Sequence, residues 1–362
     1  MRVIVVGGGL LGMMTARELS KSGASVRLLE QGHIGRESSW AGGGILSPLY
    51  PWNYADSVNA LAKWSQQHYP KLVTELIEEG GIDPQWTRSG LLVTANEAEA
   101  DTLFATATAW ARDYGLSCEQ QDGRMLHEQE PALVADRGLL FPEVAQIRNP
   151  RLIKSLQASC QSRGIELLEN SPVSGLLVSG SSVRGVTVGE IKHEADVVVI
   201  CAGAWSARLL SSMKIEVPIK PLRGQMLMYR TSPGQIRHIT LSEGHYVIPR
   251  RDGRVLAGST LEDVGFDKST TNEALVSLRQ SAETLFPCLA EAELEAHWSG
   301  LRPESAAGIP YICAAPDVDG LFLNAGHFRN GVVLAPASAR LVAELILQQT
   351  PILNALDYGF ER

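Results

Sequence analysis

The chain has 362 residues, of which 44% are hydrophobic and 20% are charged, and its formal net charge at pH 7 is -8. This composition is typical of a globular protein and excludes a disordered or fibrous chain. The negative charge argues against a nucleic-acid-binding surface, and no apolar run approaches the roughly 18–20 residues needed to span a bilayer. The cysteines are scattered without a C-x-x-C pair and the histidines lack metal-ligand spacing, which indicates a cytoplasmic location and no metal site.

The first predicted elements form a strand–helix–strand unit. Val3–Val6 is a short β-branched run, Leu10–Lys21 has apolar residues at helical spacing, and Ser25–Leu29 is again apolar. Two strands joined by a helix in this way lie parallel to each other. The chain therefore opens with a βαβ unit.

Helices and strands follow each other to the end of the chain. Further helices are predicted over 54–79, Glu97–Tyr114, Leu152–Arg163, Asn272–Phe286 and Val332–Leu347. Further strands are predicted over Gly90–Ala95, Val173–Val178, Val183–Val188, Val197–Cys201, Pro218–Tyr229, Tyr246–Pro249, Arg254–Ser259 and Leu321–Ala325. The strands between 218 and 259 follow one another without helices, a pattern that favours an antiparallel sheet.

The length and the order of these elements predict two domains. A chain of this size exceeds the limit at which one hydrophobic core usually keeps growing. We predict an α/β protein, α+β overall, in which a Rossmann-like nucleotide-binding domain is built from 1–80, 150–217 and 303–362. The inserted substrate domain, a mostly antiparallel β-sheet, would comprise 81–149 and 218–302.

The turn between the first strand and the first helix carries a G-x-G-x-x-G fingerprint of dinucleotide binding. Its first glycine permits a tight turn, its second lets the backbone approach a pyrophosphate, and its third permits close packing of the helix on the strand. The helix N-terminus adds free N–H groups, and an acid after the second strand can bind ribose hydroxyls and disfavours NADP. The predicted contacts are Gly7, Gly9, Leu10, Leu11, Gly12 and Glu30.

The next segment reads ESSWAGGG and favours FAD over NAD. The hydroxyls of Ser38 and Ser39 can donate to phosphate oxygens, and the small residues Ala41, Gly42 and Gly43 let the backbone lie against a flat ring. No second half of a doubly wound sheet follows to hold a nicotinamide. Taken alone, the same run also fits a flexible loop.

Six blocks along nearly the whole chain resemble the D-amino-acid-oxidase-like family of FAD-dependent amine oxidoreductases. They read ESSWAGGG, ADVVVICAGAWS, PLRGQML, GHYVIPRRDGRVLAGST, WSGLRPES and GHFRNGVVLAP. Within the family the chain is most similar to the glycine-oxidising members of the thiamine-biosynthesis type. The resemblance implies a two-domain fold, FAD as cofactor and a small amino acid as substrate.

The resemblance also implies further FAD contacts, which are Val173 near the adenine, Ala202, Gly203, Trp205, His327, Phe328, Arg329, Asn330 and Gly331. In relatives that attach the flavin covalently, a cysteine lies near the block that matches GLRPES. This chain has Arg302 and Pro303 there, and Cys313 lies well beyond them. We therefore expect non-covalent FAD.

Three residues are the candidates for substrate binding. Arg302, placed at the end of a strand in a G-L-R-P turn, has the planar guanidinium that binds a carboxylate through two hydrogen bonds, and the Tyr246 hydroxyl can add another. Arg329 can face either the carboxylate or the pyrimidine edge of the flavin. Leu261 is expected in an apolar wall of the pocket. The alternatives are a surface ion pair for Arg302, a core position for Tyr246 and a salt bridge for Arg329.

By the same resemblance, hydride passes from the substrate Cα to flavin N5. Dioxygen is the acceptor, and the products are glyoxylate or another oxoacid, ammonia and hydrogen peroxide. Sarcosine and small D-amino acids are further substrates, and the glycine imine is passed on for thiazole synthesis. The chain is expected to form a homo-oligomer, with a tetramer as one form. The alternatives are a quinone-dependent D-amino-acid dehydrogenase, an N-methyl amino-acid oxidase and a flavin-binding assembly module without turnover.

Overall fold

Two large β-sheets and the helices that cover them form the structure. This computed structural model describes residues 1–211 and 214–361. In these residues the α-helices are α1 (Leu10–Lys21), α2 (Ser38–Ala41), α3 (Asp56–Gly80), α4 (Glu97–Tyr114), α5 (Gly123–Gln129), α6 (Asn149–Ser162), α7 (Ser206–Ser211), α8 (Asn272–Leu285) and α9 (Gly331–Ile346). The strands are β1 (Arg2–Val6), β2 (Ser25–Leu29), β3 (Thr87–Arg88), β4 (Leu91–Thr94), β5 (Glu119–Asp122), β6 (Arg137–Phe141), β7 (Ala145–Gln146), β8 (Glu166–Leu168), β9 (Val173–Ser179), β10 (Ser182–Val188), β11 (Ile191–Glu194), β12 (Val197–Ile200), β13 (Ile219–Arg230), β14 (Ile239–Ser242), β15 (His245–Pro249), β16 (Arg254–Gly258), β17 (Glu293–Ser305), β18 (Tyr311–Ala314) and β19 (Leu321–Ala325).

The first sheet places the glycine fingerprint at the end of a central strand. Its order is β18-β19-β12-β1-β2-β8, and all neighbouring strands are parallel except the pair β18 and β19. One face packs against α1, α3, α6 and α9, and the other against α7 and the small sheet β11-β10-β9. Because both faces are covered, β12 is apolar and buried throughout its length.

The second sheet has eight strands in the order β17-β13-β16-β15-β14-β4-β6-β5. Its neighbouring strands are antiparallel except β14 and β4. The longest pairing joins β13 and β17 and runs from Ile219–Ser305 to Arg230–Glu293, with one register shift between Met228 and Tyr229. Two core clusters lie on this sheet, one against α4 and one against α8.

The strongly periodic segments follow the sequence prediction. The predicted bounds of α1, α4, β2 and β19 are those of the structure, and the other predicted elements shift by a few residues. Several elements were not predicted, among them β5, α5 and β6. The reason is clear for β5, because its sequence EQQD is polar and mostly exposed, so it has no apolar alternation to reveal it.

The predicted turn at Arg302 is wrong, because Arg302 lies inside β17 and pairs with Leu222 of β13. The sequence G-L-R-P predicts a turn because glycine and proline usually interrupt strands. Here Pro303 lies opposite Pro221 in the ladder. Opposed residues of an antiparallel pair need not exchange hydrogen bonds, so two facing prolines are tolerated and the strand continues.

A parallel sheet with helices and a mostly antiparallel second sheet agree with the predicted fold class. The predicted division into 1–80, 150–217 and 303–362 against 81–149 and 218–302 stays a prediction. In the described part of the chain, no helix combines the length and apolar character needed to cross a membrane.

Candidate active site

A cavity of about 550 Å³ lies where the first sheet meets the second. Apart from Gly12 and Asn330, every residue predicted from the sequence to bind cofactor or substrate lines it. These lining residues are Gly7, Gly9, Leu10, Leu11, Glu30, Ser38, Ser39, Ala41, Gly42, Gly43, Val173, Ala202, Gly203, Trp205, Tyr246, Arg302, His327, Phe328, Arg329 and Gly331.

Gly12 and Asn330 do not line the cavity. A Cβ at Gly12 would be 1.8 Å from the carbonyl oxygen of Gly7, so this glycine lets α1 pack tightly on the turn, as expected for the third glycine of the fingerprint. Asn330 is buried just before α9, and its Nδ2 has no hydrogen-bond partner among the described residues. The predicted contact of these two residues with the cofactor stays a prediction.

The turn after β1 brings backbone N–H groups to the cavity. Gly7 has a φ of +112°, and a Cβ on it would lie 2.4 Å from the carbonyl oxygen of Cys201, so glycine is required there. At the start of α1, the Leu10 N–H donates to Oγ of Ser39 at 2.9 Å. Because the Ser39 oxygen accepts this bond, its own hydrogen remains available for a phosphate oxygen.

Glu30 is held at the end of β2 by two backbone donors. Its Oε2 accepts from Gly8 N–H at 2.7 Å, and its Oε1 accepts from Gly32 N–H at 2.9 Å. A carboxylate oxygen has more than one acceptor position. The buried Glu30 can therefore keep these contacts and accept from ribose hydroxyls as well.

Residues 41–44, here called the glycine loop, are fixed by donors from other segments. Trp298 Nε1 donates to the carbonyl of Ala41 at 3.0 Å, and Arg250 Nη2 donates to that of Gly43 at 2.6 Å. In the described part of the chain, the N–H groups of Gly43 and Gly44 have no acceptor. The loop therefore adds unused backbone donors to the cavity wall.

Arg302 is held by neutral acceptors. Its Nη2 donates to Ser259 Oγ at 2.6 Å and its Nη1 to the Thr260 carbonyl at 3.0 Å. Burial lowers the pKa of the Arg302 guanidinium, an effect that Tyr246 opposes and the charge of Arg329 reinforces. No carboxylate of residues 1–211 and 214–361 lies within 4.0 Å of this guanidinium. The surface ion pair considered for Arg302 is thus not observed.

Tyr246 is buried at the cavity, where it interacts with the Arg302 guanidinium. Its hydroxyl donates to Sδ of Met226 at 3.7 Å, and a thioether is a poor acceptor. A carboxylate oxygen would be a stronger one. Tyr246 also packs in the core of the second sheet, so its position combines the two alternatives considered from the sequence.

Arg329 lies in the turn that precedes α9. The residue before it, Phe328, has a φ of +48°, a left-handed conformation that non-glycine residues adopt infrequently. The salt bridge considered for Arg329 is absent from the described part of the structure. Arg302 and Arg329 thus give one region of the cavity two positive charges without a paired carboxylate, which favours an anionic ligand.

His327 is a structural residue of this turn. It is buried, and its Nε2 is 3.0 Å from Oγ of Ser338. Burial lowers the pKa of His327 to about 3. The imidazole is therefore neutral near pH 7 and does not act as an acid there.

The expectation that Leu261 forms an apolar wall is wrong. Leu261 is 51% exposed and does not line the cavity. The next residue, Glu262, exchanges two backbone hydrogen bonds with Arg223, at 2.9 and 3.0 Å. Side chains alternate along such an extended segment, so the contact that fixes Glu262 leaves Leu261 on the outer side. Met226 and Leu49 are apolar residues that do line the cavity.

Two further lining residues, Gly224 and Gly300, were not predicted. They lie opposite each other on β13 and β17. A Cβ at Gly300 would be 2.5 Å from Cβ of Ala41, and one at Gly224 would overlap the guanidinium of Arg302. A glycine inside a strand often marks such a close approach, and this signal was present in the blocks PLRGQML and WSGLRPES.

The lining fits FAD. Three features lie along one continuous cavity. They are a fingerprint turn that requires glycine, an acid that can accept from ribose hydroxyls, and a glycine loop with N–H groups that have no acceptor among the described residues. Arg302 and Arg329, which form no ion pair among the described residues, also line this cavity, as does Tyr246. The fingerprint turn and the acid are features of dinucleotide sites. Arg302 and Arg329 offer positive charge to a second, anionic ligand.

Comparisons with known proteins agree with this description. The family model for FAD dependent oxidoreductase matches residues 2–345. The chain is 46% identical to a glycine oxidase of Pseudomonas aeruginosa, over 99% of this chain and 98% of that protein. It is 29% identical to the bifunctional protein ThiO/ThiG of Trichormus variabilis, over 99% of this chain and 54% of that protein. The crystal structure of glycine oxidase from Geobacillus kaustophilus has a TM-score of 0.94 at 30% identity and covers 100% of this chain and 99% of its own.

These matches confirm the predicted fold class and the resemblance drawn from the sequence blocks. The family model covers nearly the whole chain, and so does a relative with 46% identity. The chain therefore belongs to the family of FAD dependent oxidoreductases, and FAD is its cofactor.

Proposed function

We propose that this protein oxidises glycine with dioxygen, and that sarcosine and small D-amino acids are further substrates. The observation that carries the proposal is the guanidinium of Arg302, which lines the cavity and has no carboxylate partner among the described residues. An α-amino acid presents the carboxylate that such a group binds. The similarity to glycine oxidases of two bacteria supports the same substrate.

FAD would be held by the residues that the fingerprint and the glycine loop place along the cavity. We assign the pyrophosphate to the N-terminus of α1 with Ser38 and Ser39, the ribose to Glu30, and the adenine to Val173. The flavin ring would lie against the glycine loop and the turn before α9. When bound, FAD supplies the two-electron acceptor for the substrate C–H bond. The absence of a covalent link to protein is part of the proposal.

The protein's own part in the reaction is to bind and orient the amino acid. Arg302 would hold the carboxylate with donors that Ser259 and Thr260 leave unused, and the Tyr246 hydroxyl would exchange its weak sulfur acceptor for a carboxylate oxygen. Arg329 would contribute positive potential, which stabilises negative charge that develops in the cavity. Fixing the carboxylate in this way sets the direction of the Cα–H bond.

The cavity offers no side chain suited to take a proton from the amine. Among the described lining residues the carboxylates are Glu30 and Glu37, and the lining histidine is His327, which is neutral and paired with Ser338. We infer that the substrate reacts as the neutral amine after losing a proton to solvent. The residues then act by position and charge, without general acid–base catalysis.

The cellular role is proposed from the resemblance. The bifunctional protein ThiO/ThiG has a part similar to this chain and a further part of comparable length. We propose that the glycine imine formed here passes to a thiazole-forming partner, and that free imine hydrolyses to glyoxylate and ammonia. A cytoplasmic location and a homo-oligomer belong to the same proposal.

Anaerobic mixing with a panel of amino acids tests the substrate. Glycine, sarcosine and D-alanine should each bleach the flavin absorbance, and glycinamide, which lacks the carboxylate, should do so at least 100-fold more slowly. In the Arg302→Ala variant the difference between glycine and glycinamide should shrink to a few-fold, because the carboxylate then loses the charged group that binds it. Bleaching by none of the amino acids would refute the proposal.

An aerobic assay distinguishes an oxidase from a dehydrogenase. Hydrogen peroxide should form in proportion to the glycine consumed, without any added electron acceptor. Turnover that requires an artificial quinone would favour the D-amino-acid dehydrogenase alternative. Faster turnover of sarcosine than of glycine would favour an N-methyl amino-acid oxidase.

A further inference from the structure

Arg250 is a buried cation directly behind the glycine loop. It follows β15 and is only 9% exposed. Its Nη1 donates to Oε1 of Gln146 at 2.5 Å and to the carbonyl of Ile147 at 3.2 Å, and its Nη2 donates to the carbonyl of Gly43 at 2.6 Å. All three acceptors are neutral. Arg250 does not line the cavity, but Gly43 does.

The charge of Arg250 is not neutralised by a nearby acid. No carboxylate of the described residues lies within 4.0 Å of its guanidinium, and Asp252, the acid that acts on it electrostatically, is shared by Arg148 and Arg254, each at 2.8 Å. Burial lowers the pKa of Arg250 to about 9, and the charge of Arg148 adds to this effect. At pH 7 the group therefore remains positively charged. A buried charge without a counterion is costly.

The glycine loop lies between the Arg250 guanidinium and the cavity, so the positive potential of Arg250 acts on this part of the cavity wall. Arg250 binds the carbonyl of Gly43, and the N–H groups of Gly43 and Gly44 have no acceptor in the described part of the chain. A Cβ at Gly43 would lie 2.6 Å from Cδ1 of Ile248 and 3.4 Å from Cε2 of Tyr246, so the loop is tightly packed and cannot turn over easily. The wall thus combines fixed N–H dipoles with a cation behind them.

We infer that Arg250 is a positioning residue that makes the glycine loop electropositive and thereby raises the reduction potential of the bound FAD. Reduction of a flavin adds negative charge, and positive potential fixed in a buried site favours the more negative state. The inference rests on the proposed placement of the flavin against the glycine loop. It adds to the proposed function a residue that tunes how readily the cofactor accepts electrons.

Two variants separate the charge of Arg250 from its hydrogen bonds. Arg250→Met removes both. Gln146→Glu keeps an acceptor oxygen beside Nη1 of Arg250 but places a negative charge there. In the wild-type protein the Gln146 side chain is oriented by a hydrogen bond from its Nε2 to Oγ of Ser89 at 3.1 Å. Arg251→Met is the matched control, because Arg251 is the neighbouring arginine, half-exposed and paired with Asp83.

The measurement is the midpoint potential of the holoenzyme, obtained without substrate by equilibration with a reference dye. Gln146→Glu and Arg250→Met should each shift the equilibrium toward oxidised FAD at least tenfold, which is a fall of about 30 mV for a two-electron couple. Arg250→Lys should retain more of the wild-type potential than Arg250→Met, and Arg251→Met should retain all of it.

Gln146→Glu decides the inference, because it preserves the contact that holds the loop. A wild-type potential in FAD-loaded Gln146→Glu would overturn the inference, whatever Arg250→Met does. If Gln146→Glu does not retain FAD, Arg250→Lys and Arg250→Met decide, and equal wild-type potentials in both would overturn it. Since no amino acid is present, this result is independent of whether glycine is the substrate.

Discussion

Gly224 and Arg302 lie so close together on adjacent strands that a side chain at residue 224 would occupy the space of the guanidinium. A Cβ built on Gly224 would be 1.9 Å from Nη1 and 2.1 Å from Nη2 of Arg302. The two Nη atoms of the guanidinium therefore occupy the space that a side chain at residue 224 would need. Its hydrogen bonds to Ser259 and Thr260 fix it in that position.

Gly224→Ala should displace Arg302 and weaken substrate binding. We expect KM for glycine to rise at least tenfold, a loss of about 1.4 kcal/mol in binding, while the dissociation constant of FAD changes less than threefold. Steady-state kinetics and flavin fluorescence measure the two effects. Gly359→Ala is the control, because the nearest atom to a Cβ there is at 3.6 Å. An unchanged KM in Gly224→Ala would contradict the assigned position of Arg302.

Arg329→Met tests which ligand Arg329 serves. Because Arg329 lies in the turn at the N-terminus of α9, we expect it to act mainly on the flavin, so its loss should lower the midpoint potential and raise KM for glycine less than fivefold. Potentiometry and steady-state kinetics on the same preparation give both numbers. A large rise in KM at an unchanged potential would instead assign Arg329 to the substrate carboxylate.

Gly7→Ala should prevent FAD binding. The residue has a φ of +112°, and its Cβ would lie 2.4 Å from a backbone oxygen, so the turn must move. We expect the dissociation constant of FAD to rise at least 100-fold. Gly23→Ala is the control, since Gly23 also has a positive φ, of +83°, but a Cβ there meets nothing within 4 Å. FAD affinity of Gly7→Ala equal to that of Gly23→Ala would refute the role of the turn.

Glu79 should make stability depend on pH below pH 5. Burial raises the pKa of Glu79, but hydrogen bonds from Arg163, Arg17 and Ser159 outweigh it and lower the pKa to about 2. A carboxylate with a depressed pKa stabilises the fold above its unfolded pKa, about 4.3, and this contribution is lost as the pH falls toward about 2.

Glu79→Gln should therefore lower the free energy of unfolding by about 1–3 kcal/mol at pH 7 and by less at pH 3. Urea unfolding of the FAD-loaded protein at both pH values measures this. The control is Glu166→Gln, which breaks an exposed pair with Arg27 and should cost less than about 1 kcal/mol. Equal losses for Glu79→Gln at the two pH values would contradict the assignment.

The sequence revealed the parts of the fold that depend on local rules. The fingerprint turn, α1 and β2 follow from glycine spacing and from periodicity, so their bounds were predictable. The strand β17 was not, because its extended course through Pro303 depends on pairing with β13, and that partner lies far away in the chain. Long-range pairing of this kind leaves little local signal.

Residue types were easier to predict than their surroundings. Arginine at 302 suggested a carboxylate ligand from its chemistry alone, but its support by Ser259, Thr260 and Gly224 appears only in three dimensions. The same holds for Arg250, whose sequence position after a strand gave no sign that it binds the glycine loop. Leu261 was misplaced because the contact of its neighbour with another strand decides which way it faces.

The strand β17 carries Arg302 and is hydrogen-bonded to the turn that carries Arg329. Its last residue, Ser305, donates from Oγ to the carbonyl of Gly326 at 2.7 Å, at the start of that turn. The strand that carries Arg302 and the turn that carries Arg329 are therefore linked by a hydrogen bond. If substrate preference changes, we expect the changes at replaceable lining side chains such as Met226, which leave the proposed carboxylate contact in place.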